Sequence, residues 1–125
     1  MSIEEKQNFP TYQDSDSKEY PQNEREVSSI IKKFYKSNVP IELIGSGSKK
    51  KIGKPLQCSK TLSLSNLNGI IEYLPEELYI KVKACTLIKQ IEEELKKNKQ
   101  QLAFEPIDFG YLLNGKSDYG TAAGQ

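Results

Sequence analysis

Residues 41–55 read Ile-Glu-Leu-Ile-Gly-Ser-Gly-Ser-Lys-Lys-Lys-Ile-Gly-Lys-Pro, and they carry the strongest structural signal in the chain. The apolar run at 41–44 predicts a short buried strand, which ends at a turn of glycine and serine followed by three lysines. Because glycine permits positive φ and close approach of a ligand to the main chain, successive backbone N–H groups can turn towards one anion. The stretch therefore predicts a pyrophosphate cradle directly after a strand.

Two common phosphate-binding motifs do not fit this stretch. A P-loop has four residues between its glycines and a Ser or Thr after its lysine, whereas five residues separate Gly47 from Gly53 and Pro55 follows Lys54. A dinucleotide fingerprint requires a third glycine where this chain has Lys50. A flexible turn carrying a solvated lysine run remains the alternative to an anion site.

Composition limits the classes of function. The chain has 125 residues, the size of one domain, and its 18 basic and 17 acidic residues leave a net charge of +1. No field of the whole chain therefore favours nucleic acid or an anionic membrane. The absence of histidine excludes a zinc site with histidine ligands and Ser-His or Cys-His nucleophiles. Cys58 and Cys85 are interpreted as small buried or half-buried residues.

The chain divides into two parts by polarity. Residues 1–20 are rich in Glu, Gln, Asp, Ser and Lys, which predicts a flexible leader, and residues 21–125 form the predicted domain. The first residues do not read as a secretory signal, and no apolar run approaches the roughly 20 residues of a membrane span. We expect a cytoplasmic protein without a membrane span of its own, associated with membranes only through partners.

Hydrophobic periodicity predicts an α+β order of elements. Apolar residues at helical spacing predict a helix over 23–37, capped by Asn23 and ended by Asn38 in the left-handed region before Pro40. Strands follow at 41–44, 61–64, 70–73 and 79–84, the last two as an antiparallel pair with alternating burial.

The second half begins with a predicted helix that runs from an N-cap at Thr86 to Lys97. Its buried stripe comprises Leu87, Ile88, Ile91 and Leu95. Residues 99–110 are predicted to be extended and residues 111–119 irregular, and a second turn of small residues occupies 120–125.

Five motifs in this order carry a family resemblance. They are Gly-Ser-Gly-Ser-Lys with Gly-Lys-Pro (45–49 and 53–55), Pro-Glu-Glu-Leu (75–78), Ala-Cys-Thr (84–86), Phe-Glu-Pro-Ile-Asp-Phe-Gly (104–110) and Gly-Thr-Ala-Ala-Gly (120–124). Over residues 24–125 the sequence resembles the N-terminal part of the FAD-binding subunit of glycolate oxidase. That subunit belongs to the flavoproteins with a PCMH-type FAD-binding domain similar to that of vanillyl-alcohol oxidase.

The resemblance implies a fold, a cofactor and a site. The fold would be the first α/β subdomain of a PCMH-type domain (helix, short strands, β-hairpin, helix) with the start of the second, so the chain is expected to be a fragment. FAD, held non-covalently, would place its pyrophosphate on the backbone of 45–48 with Lys49 adding charge, while Lys50 and Lys51 stay solvated. The implied cofactor-binding residues are Gly45, Ser46, Gly47, Ser48, Lys49, Pro106, Asp108, Gly120, Thr121 and Gly124.

The resemblance also implies an activity and partners. The flavin N5 would accept a hydride from a 2-hydroxy acid such as glycolate, which becomes glyoxylate. A second flavin subunit and an iron–sulfur subunit would be the partners, whereas no nucleic acid, catalytic residue or metal ligand is expected within these residues. The chain alone is expected to be inactive.

Three residues depart from the family pattern. Cys85 and Ala123 stand where glycine is usual, and Ile107 where a second proline is common. A side chain at Cys85 would occupy space that a close flavin approach needs. These departures keep open an alternative function, in which the chain is a non-catalytic α/β scaffold or binding domain that keeps the shape without the cofactor.

Overall fold

A parallel sheet of three short strands carries the glycine loop. The computed structural model describes residues 18–54 and 56–125. Its strands are β1 (Lys18–Glu19), β2 (Ile41–Ile44) and β3 (Lys60–Ser63), arranged in the order β1-β3-β2 with both pairs parallel. The central strand β3 is largely buried, with Leu62 fully inaccessible to solvent. The loop after β2 therefore leaves the carboxyl end of a parallel strand, where α/β proteins bind ligands.

The edges of this sheet differ from the sequence expectation in two respects. Strand β2 has the predicted bounds, but Leu43 is 60% exposed, so the strand is half-buried rather than buried. Residues 1–17 of the predicted leader lie outside the described residues. Its last residues include β1, which pairs with β3 through Lys18 and Glu19 and which periodicity did not indicate because it is two residues long.

The first helix, α1 (Glu24–Lys36), confirms its prediction closely. The Asn23 side chain accepts a hydrogen bond from the Glu26 N–H at 3.0 Å, which caps the helix. Asn38 adopts φ +52° after the C-cap, and the chain turns at once into β2. Phe34 is the buried residue of this helix, which fixes its inner face against the domain.

A hairpin and the second helix form the main apolar cluster. Strands β4 (Ile70–Leu74) and β5 (Tyr79–Val82) pair antiparallel around a 3₁₀ turn at Pro75–Glu77, as the turn chemistry predicts. Helix α2 (Ile88–Lys97) packs Ile88, Ile91 and Leu95 against the hairpin. In the hairpin, Ile80 and Val82 contribute to this cluster, while Tyr79 and Lys81 face outwards.

The start of α2 corrects the sequence prediction. Leu87, not Thr86, is the N-cap residue; it has extended backbone and is 48% exposed, so it does not belong to the buried stripe. Thr86 is completely buried, and its hydroxyl accepts from the Gly69 N–H at 2.9 Å and lies 2.7 Å from the Lys83 carbonyl. The hydroxyl that could cap the helix therefore joins the helix start to the turn before β4.

The last part of the chain contains a short helix where residues 109–110 are predicted to be extended and residues 111–114 irregular. Helix α3 (Phe109–Asn114) begins at an Asp108 cap and ends at Gly115, which has φ +69°. Its six residues lack an amphipathic repeat, which is why periodicity missed it. A 3₁₀ turn at Ala122–Gly124 follows. None of the described helices has the length and apolar character required to span a membrane.

Candidate functional site

An open cleft lies at the carboxyl end of β2. Its volume is about 630 Å³, and the glycine loop forms much of its wall. The predicted site residues that line it are Gly45, Ser46, Gly47, Ser48, Lys49, Thr121 and Gly124. The structure thus brings together two segments that are more than 70 residues apart in sequence, as the predicted site requires.

The backbone of the loop that lines this cleft has hydrogen-bond donors without acceptors. The Lys50 and Ile52 N–H groups donate within the loop to the Gly47 and Lys49 carbonyls, at 3.2 and 3.0 Å. Across residues 18–54 and 56–125, by contrast, no acceptor binds the N–H groups of residues 46–48. Gly47 has φ +76°, and a Cβ added there would meet no atom within 4 Å. Donors of this kind on an unobstructed turn suit an anion.

The charge of the cleft is positive. Its lining contains Glu42 as the acidic side chain and four lysines, Lys49, Lys50, Lys51 and Lys54. Unpaired N–H groups and several ammonium groups on one short loop form a donor set that suits a diphosphate. The residues present therefore fit the pyrophosphate of a dinucleotide cofactor.

The three consecutive lysines contact different partners. Lys49 Nζ donates to the Gly124 carbonyl and lies 5.1 Å from the centre of the Phe109 ring. Lys50 Nζ lies 3.4 Å from Glu42 Oε2, and Lys51 Nζ donates to Asn114 Oδ1 at 3.2 Å. Lys50 and Lys51 are exposed as predicted, yet each holds a partner. The lysine run connects the loop with β2, with α3 and with the second small-residue turn.

That second turn packs directly behind the loop. The Ile88 N–H donates to the Gly120 carbonyl, and the Ala122 and Ala123 N–H groups donate to the Thr86 and Ala84 carbonyls. A Cβ added at Gly45 would lie 3.1 Å from Thr121 Oγ1 and 3.4 Å from Cys85 Sγ. A side chain at Gly45 would therefore require the Thr121 side chain to shift by a few tenths of an ångström.

Cys85 lies behind the loop rather than in the cleft. It is 6% exposed, and burial raises the pKa of its thiol. The side chain is absent from the cleft lining, so it takes no space from a ligand there. Ile107 and Ala123, the other two departures, also lie outside that lining.

Three predicted site residues do not line the cleft: Pro106, Asp108 and Gly120. Gly120 nevertheless touches the loop, because a Cβ added there would lie 3.0 Å from Ser48 Oγ. The Asp108 carboxylate accepts from Ser117 Oγ at 2.6 Å and from the Asp118 and Gly110 N–H groups at 2.9 Å each. These hydrogen bonds lower the pKa of Asp108, and the bond from Ser117 has the largest effect. Cofactor contacts from Pro106 and Asp108 stay predictions.

The cleft also contains a pair of side chains that no sequence motif indicates. Glu42 and Thr61 are partners in the β2–β3 register, and both line the cleft. Thr61 Oγ1 donates to Glu42 Oε2 at 3.3 Å. The available signal was a carboxylate inside an otherwise apolar four-residue strand.

Sequence comparison places this geometry in a family. Residues 19–112 match the sequence model of a family described as an FAD-binding domain. The matched range extends from β1 into α3 and includes the whole lysine loop, whereas Thr121 and Gly124 follow it. Comparisons with curated proteins and with solved structures find no match.

Proposed function

Because the chain belongs to the FAD-binding domain family, we propose that it is the FAD-binding subunit of an oxidoreductase complex that oxidises 2-hydroxy acids. FAD is the cofactor of this domain, which is of the PCMH type and represented here in part. Glycolate, converted to glyoxylate, is the proposed substrate. A second flavin subunit and an iron–sulfur subunit are the proposed partners, and the cytoplasm is the proposed location.

The observation that carries the proposal is the loop after β2. Its N–H groups at residues 46–48 have no acceptor among the described residues, and these residues line a cleft that four lysines make positive. Backbone donors cost no side-chain entropy when they bind, and the packing of Gly45 against Thr121 fixes their position in advance. We assign the FAD pyrophosphate to these donors, with Lys49 supplying charge.

The chemistry divides between cofactor and protein. When bound, FAD supplies the two-electron acceptor for the substrate carbon. The role of this chain is to bind and orient the cofactor through the cleft. We assign it no catalytic residue; proton transfer and recognition of the 2-hydroxy acid are assigned to residues outside the described cleft.

An exposed apolar surface supports the proposed partners. Four large apolar side chains within residues 104–112 are between 55% and 79% exposed: Phe104, Ile107, Tyr111 and Leu112. Phe109, in the same segment, contacts Lys49, which lines the cleft. Clusters of large apolar side chains on a protein surface commonly contact another polypeptide. A subunit interface next to the cofactor suits electron transfer between subunits.

The alternative function, a scaffold without cofactor, has lost its main support. It drew on Cys85 as an obstruction to the flavin, but the Cys85 side chain packs behind Gly45. None of the three residues that depart from the family pattern, Cys85, Ile107 and Ala123, lines the cleft. Free donors and a positive cleft favour an anionic ligand instead.

Native purification tests the proposal. The tagged chain, expressed in its own host, would be purified with its partners, and its flavin would be released by acid and identified by chromatography. We expect FAD rather than FMN, iron in the purified complex, and dye reduction that requires glycolate or a related 2-hydroxy acid. Residues 1–125 alone should show no turnover. A complex that contains FMN, or that reduces dye with none of these acids, would overturn the assignment.

A further inference from the structure

We propose that Glu42 forms a ribose subsite in the cleft, in which its carboxylate accepts a hydrogen bond from a ribose hydroxyl of the adenosine half of the ligand. The proposal rests on the proposed function, because it presumes that an adenine dinucleotide lies in this cleft. It assigns a role to a carboxylate that the pyrophosphate site does not explain.

The position of Glu42 is unusual for a carboxylate. It lies on β2, lines the cleft, and has a side chain only 15% exposed. Carboxylates are seldom buried to this extent without partners. Its two contacts, from Thr61 Oγ1 at 3.3 Å and Lys50 Nζ at 3.4 Å, both fall on Oε2.

The second oxygen of the carboxylate is open. Within residues 18–54 and 56–125, Glu42 Oε1 has no hydrogen-bond donor. No fully buried polar side-chain atom of these residues lacks a partner, so Oε1, which has none, is not fully buried, and Glu42 lines the cleft. The carboxylate is therefore held through one oxygen and presents the other to a ligand.

The neighbouring lysine indicates which ligand group would meet Oε1. Lys50 belongs to the positive run of the loop, and its ammonium group is adjacent to the carboxylate. A ligand that places a phosphate at this run would place the next group in its structure near Glu42. In ADP, and on the adenosine side of FAD, the group next to the phosphate is a ribose, whose hydroxyls donate hydrogen bonds. Acidic side chains bind ribose hydroxyls in this way in other dinucleotide folds.

The carboxylate would also orient the ligand. A second phosphate placed at Glu42 would meet a negative charge, whereas a hydroxyl would meet an acceptor. The cleft thus has a phosphate end at residues 46–48 and a ribose end at Glu42. If Glu42 served only as an ion-pair partner of Lys50, phosphate ligands with and without ribose hydroxyls would bind equally well. This difference makes the proposal testable.

A thermodynamic cycle separates the two roles. The ¹⁵N-labelled chain and its Glu42→Gln variant would each be titrated with ADP, with 2′,3′-dideoxy-ADP and with inorganic pyrophosphate, and dissociation constants would be read from backbone amide shifts. In the wild type, loss of both hydroxyls should weaken binding about tenfold, the size of one charged hydrogen bond. In Glu42→Gln the same loss should fall to about twofold, and pyrophosphate should bind at least as tightly as to the wild type.

Two further variants control for folding and charge. Glu72→Gln removes an exposed carboxylate on β4, outside the cleft lining, and should change none of these constants. Thr61→Val keeps the side-chain shape but removes the hydroxyl donor to Oε2 and leaves Lys50 as its partner, so it should weaken ADP by a few fold and leave pyrophosphate unaffected. Thermal unfolding of each variant verifies that it is folded.

The outcomes distinguish the ribose subsite from the proposed function. If dideoxy-ADP binds tenfold more weakly than ADP to both the wild type and Glu42→Gln, the ribose subsite alone is overturned. Pyrophosphate binding without any preference for ADP over dideoxy-ADP in the wild type would do the same. If neither ADP nor pyrophosphate shifts any amide of residues 45–50, the anion site itself is wrong, and the proposed function fails with it.

Discussion

Two turns of small residues lie side by side at the cleft, and they use their backbones in opposite ways. In the turn at 120–124, the Gly120 N–H donates to Asp118 and the Ala122, Ala123 and Gly124 N–H groups donate to backbone carbonyls. In the loop at 45–48, no described residue accepts from the N–H groups of residues 46–48. The turn at 120–124 is a structural support, whereas the loop at 45–48 is a set of free donors.

Composition does not separate these two turns, because both consist of glycine with small neighbours. The difference arises from what lies beside each. Residues 84–88 run next to the second turn and offer carbonyls to it, including the Leu87–Thr121 bridge. The loop instead follows an edge strand and faces open space. A glycine turn binds a ligand only where the fold leaves its donors unused.

The largest expected effect comes from a side chain placed on the free donors. Gly47→Val should weaken FAD binding more than tenfold, since valine at φ +76° strains the loop that lines the cleft. Gly115→Val is the matched control: it has φ +69°, equally open surroundings, and a position outside the cleft lining. Flavin absorbance at 450 nm per folded subunit measures both. Equal losses of flavin would show that backbone strain, and not the cleft, decides occupancy.

The next largest effect concerns Thr86, whose carbonyl accepts a hydrogen bond from Ala122 in the turn at 120–124. Thr86→Val removes a completely buried hydroxyl that bonds to Gly69 and Lys83, so it should lower the free energy of unfolding by about 1–3 kcal/mol. Thr86→Ser retains the hydroxyl and should be far less damaging. Urea unfolding gives the stabilities, and ADP titration of the folded fraction gives the affinity. A large loss of affinity without loss of stability would contradict the structural role.

The lysine run should show unequal, smaller effects. Lys49→Ala should weaken FAD binding by about threefold to tenfold, since Lys49 is the lysine that joins the loop to the second turn. Lys51→Ala removes only an exposed bond to Asn114 and should change affinity less than about twofold. Calorimetric titration of the two variants, with Lys50→Ala beside them, measures this order. Three equal small effects would favour a solvated charged turn.

The smallest effect concerns pH and the segment that leads to the second turn. Hydrogen bonds, the largest from Ser117, hold the pKa of Asp108 below its ordinary value. The ionised carboxylate thus stabilises the segment above the unfolded pKa, about 4, and this stabilisation is lost as pH falls through the lower folded pKa. The Gly110 and Asp118 amide shifts should follow this titration, and Asp108→Asn should abolish it. A midpoint at or above the ordinary value would refute the capping role of Asp108.

Much of the fold follows from local sequence. The cap at Asn23, the turn at Asn38 and the bounds of β2 rest on neighbouring residues, and each is confirmed. The predictions for Thr86 and for residues 109–114 were wrong, because residues elsewhere in the chain determine their structure. Neighbouring residues favour Thr86 as a helix cap, but its hydroxyl accepts a hydrogen bond from the Gly69 N–H instead. Asp108 begins α3 with the help of Ser117 and Asp118, which no periodicity reveals.

The site was predictable to a similar degree. Glycine and serine followed by lysine indicates the loop, but the sequence does not show which N–H groups stay unpaired. It also does not show that Lys50 meets Glu42 or that Cys85 packs behind Gly45, because both contacts depend on how separate elements pack. Position in the sheet, rather than residue type, brings Glu42 and Thr61 to the cleft.

Amide hydrogen exchange tests the contrast between the two turns most directly. In the ligand-free chain, the Ala122 and Ala123 amides should exchange slowly because they are bonded to Thr86 and Ala84, and the Ser46, Gly47 and Ser48 amides should exchange fast. Saturating FAD should slow exchange at residues 46–48 and leave Ala122 and Ala123 unchanged. Protection of 46–48 before FAD is added, or FAD-induced protection confined to 120–124, would contradict the assignment of the loop as the pyrophosphate site.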